Sequence, residues 1–355
     1  MALLLTPNYT SKVRQALTEL IEKNQNNQIE AKGKPYIVTD WDNTAIIFDS
    51  QQSLFIYQIE NLHYRLTPER FAQIIEMDLT ADQKAEVKEL LYDINKCYHQ
   101  IYTDYQAMGG DYQLNEIKQT AEYEIFYLAM ACLYKYPFGH FTECCRILYL
   151  FENYSLEEVA QMTEASIIWS EMMPPQKKVF EYDRNGKSWR AVFYLGMRPV
   201  PEQREFYQKC MESGIAVYVC SASHQTVVEV HAARYGIPAE NVLAVEVQTD
   251  ENRRIKAEMK AGRPFTILEG KAQAIRHSLL PKHGREPLLV MGDSMGDFAM
   301  LTDFQCLRML VHTKNLNRVL QAMKEIGIDQ NSILIQGRND QLGEFQANEQ
   351  WDSFS

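Results

Sequence analysis

No stretch of this chain is apolar for long enough to cross a bilayer, so no membrane-spanning helix is expected. Among seven cysteines there is no Cys-x-x-Cys pair, and an odd number suits no disulfide framework. A zinc site is therefore not expected, and buried reduced thiols are, including the adjacent Cys144-Cys145. Long basic runs are missing too. With 36 Lys and Arg against 47 Asp and Glu, the net charge is −11. That balance argues against nucleic acid as the main partner and mildly favours small or cationic substrates. There is no internal repeat and no low-complexity tract. The opening Met1-Ala2-Leu3-Leu4-Leu5 is too short for a signal-peptide core and is closely followed by Pro7, so a cytoplasmic location is expected. A processed precursor would read the same way.

What is present begins with Tyr36-Ile37-Val38-Thr39-Asp40-Trp41-Asp42-Asn43-Thr44. The apolar run reads as a buried parallel strand. It ends in two aspartates, and loops at the carboxyl ends of parallel strands are where α/β proteins place their chemistry. Adjacent carboxylates repel, so a divalent cation is the simplest neutraliser. The other reading makes Asp42-Asn43 a turn and Asp40 a helix cap. Three later stretches join it. Val217-Tyr218-Val219-Cys220-Ser221-Ala222-Ser223 is a strand ending in small hydroxyls, and Gly270-Lys271 opens a helical pattern. Leu288-Leu289-Val290-Met291-Gly292-Asp293-Ser294-Met295-Gly296-Asp297 is a strand ending in two aspartates around glycine.

Asp-x-Asp-x-Thr, then Ser, then Lys, then Gly-Asp-Ser-x-Gly-Asp, in that order, resembles the haloacid dehalogenase superfamily of phosphatases. The resemblance implies an α/β fold: a Rossmann-like three-layer α/β/α core with a parallel sheet, plus an inserted α-helical cap. The chain's own patterning agrees. From about Asp49 to Ile168 it is almost wholly helical, with an obvious break at Gly109-Gly110, and thirteen of twenty tyrosines lie between Tyr57 and Tyr154. From Pro201 onward strands alternate with helices, which implies a parallel sheet covered on both faces. Between them, Asn185-Gly186 marks a β-hairpin. The expected division is a discontinuous core of residues 1–48 and 178–345, a cap of 49–177, and a loose polar tail of 346–355 in which Trp351 could dock.

By resemblance, Asp40 is the nucleophile that forms an aspartyl-phosphate, and Asp42 is the acid for the leaving oxygen and then the base for water. Magnesium is held by the Asp40 carboxylate, the main-chain carbonyl of Asp42 and Asp293, with Asp297 completing or orienting the set. Ser221, with the amides of Ala222 and Ser223 at a helix start, binds the phosphoryl group; Lys271 neutralises it, and Thr44 orders the first loop. In phosphoserine phosphatases the residue before the last aspartate is usually asparagine; here it is Gly296. Asp49 matches an acidic residue that meets the substrate ammonium there, but Asp49 with Gln52 also reads as a helix N-cap. Trp41, Phe48-Asp49 and the tyrosine-rich cap look closer to bacterial phosphorylcholine phosphatases. For a quaternary ammonium the candidates are Tyr57, Tyr123, Tyr127 and Glu124. The implied substrate is a small phosphate ester with a cationic head. Phosphoserine, phosphotransfer to a second substrate, and an idle fold used for binding are the alternatives.

Overall fold

The computed structural model describes residues 4–24, 33–108, 114–138 and 146–354. The expected break at Gly109-Gly110, the Cys144-Cys145 pair and Met1 to Leu3 lie outside the described residues. Cys97, Cys132, Cys210, Cys220 and Cys306 carry no disulfide. Among the described residues no helix is long and apolar enough to cross a membrane.

Strand β1 (Tyr36–Thr39) lies at the centre of the main sheet. It pairs in parallel with β6 (Ala216–His224) on one side and β10 (Leu289–Gly292) on the other. Outward from β6 comes β7 (Val242–Val245); outward from β10 come β11 (Leu307–Val311), β12 (Ile333–Asn339) and the antiparallel β13 (Glu344–Gln346). β1 is buried on both faces, as a continuous apolar run should be. One face of the sheet packs Ile37, Val217, Met291 and Met309 with the helix Ser11–Asn24; the other packs Val38, Tyr218, Val290 and Leu310 with the helix Leu316–Glu325. This is the expected α/β core. Because β6, β1 and β10 are neighbours, three of the four sequence motifs leave the same edge of the sheet side by side.

The helical insert has its own core. Tyr64, Phe71, Tyr98 and Phe126 pack ring on ring, the Phe71 and Tyr98 centroids 3.9 Å apart. Tyr123, Tyr149 and Tyr154 are buried in the same cluster. The hairpin β3 (Gln176–Arg184) and β4 (Lys187–Leu195) turns at Asn185 and Gly186, both with positive φ, as a type I′ turn demands. Its inward residues Phe180, Tyr182, Trp189, Ala191, Phe193 and Leu195 join the insert's apolar cluster, not that of the sheet. The hairpin therefore packs with the helices that precede it in the chain. The short antiparallel pair β2 (Ile46–Ile47) and β5 (Arg198–Pro199) ties together the two chain segments that flank the insert. A second hairpin, β8 (Val247–Thr249) with β9 (Ile255–Met259), adds Val247, Ile255 and Ala257 to the insert's cluster.

The expectation of a loose C-terminal tail is corrected. β12 continues to Asn339 as an interior strand, and β14 (Trp351–Asp352) pairs with it in parallel. Two residues make too short a strand to announce itself in sequence, but the Trp351 indole gives the segment an anchor: it donates to Asp340 Oδ2 at 2.9 Å.

Candidate active site

Asp40 follows the last residue of β1, and its main-chain N–H donates to the Met291 carbonyl of β10 at 2.9 Å. Lys271, in the helix Glu269–Ala274, is 3% exposed and sits between two carboxylates: Nζ lies 2.6 Å from Asp40 Oδ1 and 2.6 Å from Asp297 Oδ1. Thr44 donates from Oγ1 to Asp40 Oδ2 at 3.2 Å. Carboxylate oxygens of Asp40, Asp293 and Asp297 lie within 4.8 Å of one another, all three residues buried.

This concentration of negative charge governs the electrostatics. Burial and the nearby Asp297 push the Asp40 carboxyl up to about 7, against the opposing pull of Lys271. Burial, Asp297 and Asp40 raise Asp293 well above the usual carboxylate range. Burial works against the Lys271 ammonium, but Asp297 and Asp40 outweigh it and hold its pKa high. One lysine cannot balance three buried carboxylates. The residual charge and the all-oxygen donor set fit a hard divalent cation.

Asp42 is set differently. Oδ1 accepts from the Ser50 N–H at 2.7 Å and Oδ2 from the Ser223 hydroxyl at 2.6 Å. Its side chain is therefore outside the carboxylate cluster. Burial and the charge of Asp49 move it up to about 7, near the pKa a general acid and base needs at neutral pH. Ser221 accepts on Oγ from the Ser223 N–H at 3.2 Å. The expected helix start at Ala222 and Ser223 is corrected: β6 continues to His224, which caps the helix Gln225–Ala233 through Nδ1. Ala222 and Ser223 still line the same cavity as Ser221.

That cavity, about 530 Å³, holds Asp40, Asp42, Asp49, Ser221, Lys271, Asp293 and Asp297 together. The N-cap reading of Asp49 is realised: Oδ1 accepts from the Gln52 N–H at 2.8 Å and Oδ2 from the Gln52 side chain at 2.7 Å. Tyr57, Tyr123, Tyr127 and Glu124 are not among the cavity-lining residues, which corrects the aromatic-box expectation. Tyr123 donates to the Glu60 carbonyl, Tyr127 accepts from Lys178, and Glu124 is exposed. The helix Ala121–Tyr134 turns Tyr123 and Tyr127 toward Glu60 and β3 and brings only its last residue, Tyr134, to the cavity. Sequence reasoning missed Tyr134 and its neighbour Lys135, which donates to Gln52 Oε1 at 2.6 Å. No local pattern marks them, because the face of a helix is assigned only by what packs on it.

The sequence profile of the haloacid dehalogenase-like hydrolase family matches residues 119–302, just over half of the chain. The chain belongs to that family. The matched stretch contains Ser221, Lys271, Asp293 and Asp297, with Asp40 and Asp42 before it. Phosphorylcholine phosphatase of Pseudomonas aeruginosa is 28% identical to this chain over 304 residues, covering 78% of this chain and 72% of that protein. Among solved structures, a conserved protein of unknown function from Anaerococcus prevotii matches with a TM-score of 0.86 at 24% identity, covering 100% of this chain and 99% of the other. That likeness shows the fold.

Proposed function

We propose that the protein is a magnesium-dependent phosphomonoesterase acting on a small phosphate ester through an aspartyl-phosphate. The observation that carries this reading is the Lys271 ammonium shared between Asp40 and Asp297, with Asp293 in the same buried cluster and Asp42 close by. Asp40, Asp293 and the main-chain carbonyl of Asp42 would hold magnesium, with Asp297 beside them. When bound, the ion would neutralise the phosphoryl oxygens. An Asp40 carboxylate oxygen attacks phosphorus. The bond to the leaving oxygen breaks, and that oxygen takes the Asp42 proton. Water then attacks phosphorus and gives its proton to Asp42, and the bond to Asp40 breaks to release phosphate. Ser221, the amides of Ala222 and Ser223, and Lys271 steady the oxygens in flight.

For the head group, the curated relative supports phosphocholine, and Asp49 offers a carboxylate in the cavity. One observation favours the phosphoserine alternative. Lys135 Nζ lies 5.4 Å from the ring centroid of Tyr134, which lines the cavity, so the chain's own cation already covers aromatic surface that a quaternary ammonium would use. A lysine and an aspartate joined through Gln52 also match a zwitterion.

Phosphate release from phosphocholine, phosphoethanolamine, phosphoserine and a sugar phosphate, with magnesium and with chelator, tests both levels. Turnover independent of magnesium would overturn the metal assignment. Release without an acceptor alcohol separates hydrolysis from phosphotransfer, and no turnover of any ester returns the idle-fold alternative. Asp293→Asn is expected to remove most of the thermal stabilisation that magnesium gives the wild type. Lys135→Met is expected to shift the phosphocholine-to-phosphoserine ratio of kcat/KM upward by about tenfold, roughly 1.4 kcal/mol. An unchanged ratio would take Lys135 out of head-group recognition.

A further inference from the structure

The loop that carries Asp42 is held from outside. Asn43 and Phe48 both have positive φ, +61° and +72°. For a bulky residue such as Phe this region is a true outlier, and it persists only where the surroundings over-determine it. The loop closes on itself, the Asn43 N–H donating to the Phe48 carbonyl at 2.9 Å. Asp42 immediately precedes this closure and Asp49 immediately follows it.

The grip on both strained residues comes from the C-terminal segment. Arg338, 3% exposed in β12, donates through one terminal nitrogen to the Asn43 carbonyl at 3.2 Å and to Asn43 Oδ1 at 3.1 Å. Its Nε donates to Asp340 Oδ1 at 2.6 Å, and the other Asp340 oxygen accepts from the Trp351 indole. The Asp340 N–H donates to the Asp352 carbonyl at 2.8 Å, locking β14 beside β12. Two residues on, the Phe354 ring lies 6.2 Å from Phe48 and 6.0 Å from Tyr194, while Phe48 and Tyr194 stack at 5.8 Å. The guanidinium itself is 5.8 Å from the Phe48 ring centroid. A lysine could not copy this, because only the planar guanidinium fork serves Asn43 and Asp340 at once.

We propose that Arg338, locked by Asp340 and Trp351, is a positioning residue for the reaction: it fixes Asn43 and thereby the Asp42 carboxylate, without touching substrate. The kinetic part of this assignment rests on the phosphatase reading above; the structural part does not.

The test uses the full chain with Arg338→Gln, Arg338→Lys and Trp351→Phe. Arg338→Gln is expected to lower kcat about 30- to 100-fold with KM within about threefold, since small misplacements of a reacting group cost about that much. Arg338→Lys should recover a minor part, and Trp351→Phe, which keeps the ring but loses the donor, should fall between wild type and Arg338→Gln. Hydrogen exchange of the 41–49 peptide should quicken in each variant in the same order, while the helix Ala121–Tyr134 exchanges as in wild type. A purely structural role would lower the melting temperature but leave kcat well below melting, and exchange at 41–49, as in wild type; that result overturns the proposal. If Arg338→Gln does not fold, Trp351→Phe decides by the same two readouts. If wild type hydrolyses no ester, the phosphatase reading fails and exchange at 41–49 alone decides the positioning role.

Discussion

Asp40→Asn is expected to abolish turnover and, in the absence of metal, to make the protein more stable. Both effects come from the same buried charge. The proposed reaction needs a carboxylate oxygen as nucleophile, and a neutral amide oxygen is too poor a one, so kcat/KM should fall by about 10⁴-fold or more, roughly 5 kcal/mol of transition-state stabilisation or greater. The stability gain follows from linkage. Burial, then Asp297, raise the folded-state pKa of Asp40 to about 7, whereas in the unfolded chain an aspartate sits near 3.9. Between those values the folded state binds more protons than the unfolded one, so stability falls as pH rises through that window. Above pH 7 the ionised carboxylate is a net burden unless a cation joins it. Asn fills nearly the same volume without the charge. In chelator at pH 8 the variant should gain on the order of 2–4 kcal/mol over wild type, and near pH 4 the gain should vanish. Thermal melts of both proteins at the two pH values, together with phosphate release, check this. Residual turnover within tenfold of wild type would remove Asp40 as nucleophile. Equal melting points at pH 8 would mean that the Asp40 carboxyl is not raised, its charge being balanced by the Lys271 ammonium.

Asp40 and its neighbours in the cluster are legible from the amino-acid order alone. Asp40 and Asp293 follow the last residues of β1 and β10, Ser221 lies in the last half of β6, and an apolar run ending in polar residues is the pattern a buried parallel strand leaves in sequence. Lys271 is legible by its place in the order of motifs; its burial between Asp40 and Asp297 is not, because burial of a lysine depends on partners far away along the chain. The same limit explains the misplaced aromatics. Tyr123 and Tyr127 stack on each other one helical turn apart, 5.9 Å between centroids, so the periodicity is real. What the periodicity lacks is phase: the hairpin β3–β4 takes that face, through Phe180 against Tyr127. The hairpin is itself readable from Asn185-Gly186, but not the side on which it packs. Arg338 is invisible for the opposite reason. No motif surrounds it, and its partner Asn43 lies at the other end of the sequence.

Gly292→Ala should lower kcat about 100- to 1000-fold although it adds a single methyl to a residue that contacts no substrate. β10 ends at Gly292, and a Cβ built there would lie 2.6 Å from Asp297 Cβ, 2.7 Å from Cγ and 2.8 Å from Oδ2. One of the two must move, and Asp297 has nowhere to go. Its Oδ1 takes the Lys271 ammonium, and its Oδ2 accepts from the Asp293 N–H at 3.0 Å, the Ser294 N–H at 3.1 Å and the Ser294 hydroxyl at 3.3 Å. Pushing this carboxylate aside therefore drags Lys271 from Asp40 and disturbs the loop that aims Asp293. Preorganised charge of this kind is worth several orders of magnitude in rate, and overpacking a tight site costs a further 1–3 kcal/mol or so of stability. Magnesium should correspondingly stabilise the variant less than wild type. The control is the other glycine of the same motif. A Cβ at Gly296 would meet only Ser294 Oγ, at 3.2 Å, a contact that a shift of a few tenths of an ångström relieves. Gly296→Ala should stay within about threefold of wild type, the scale of a surface change. If both variants lose activity alike, the loop as a whole is intolerant and the contact with Asp297 is not the cause. If Gly292→Ala stays within a few fold, β10 yields and the carboxylate cluster is less tightly coupled to the sheet than its hydrogen bonds imply.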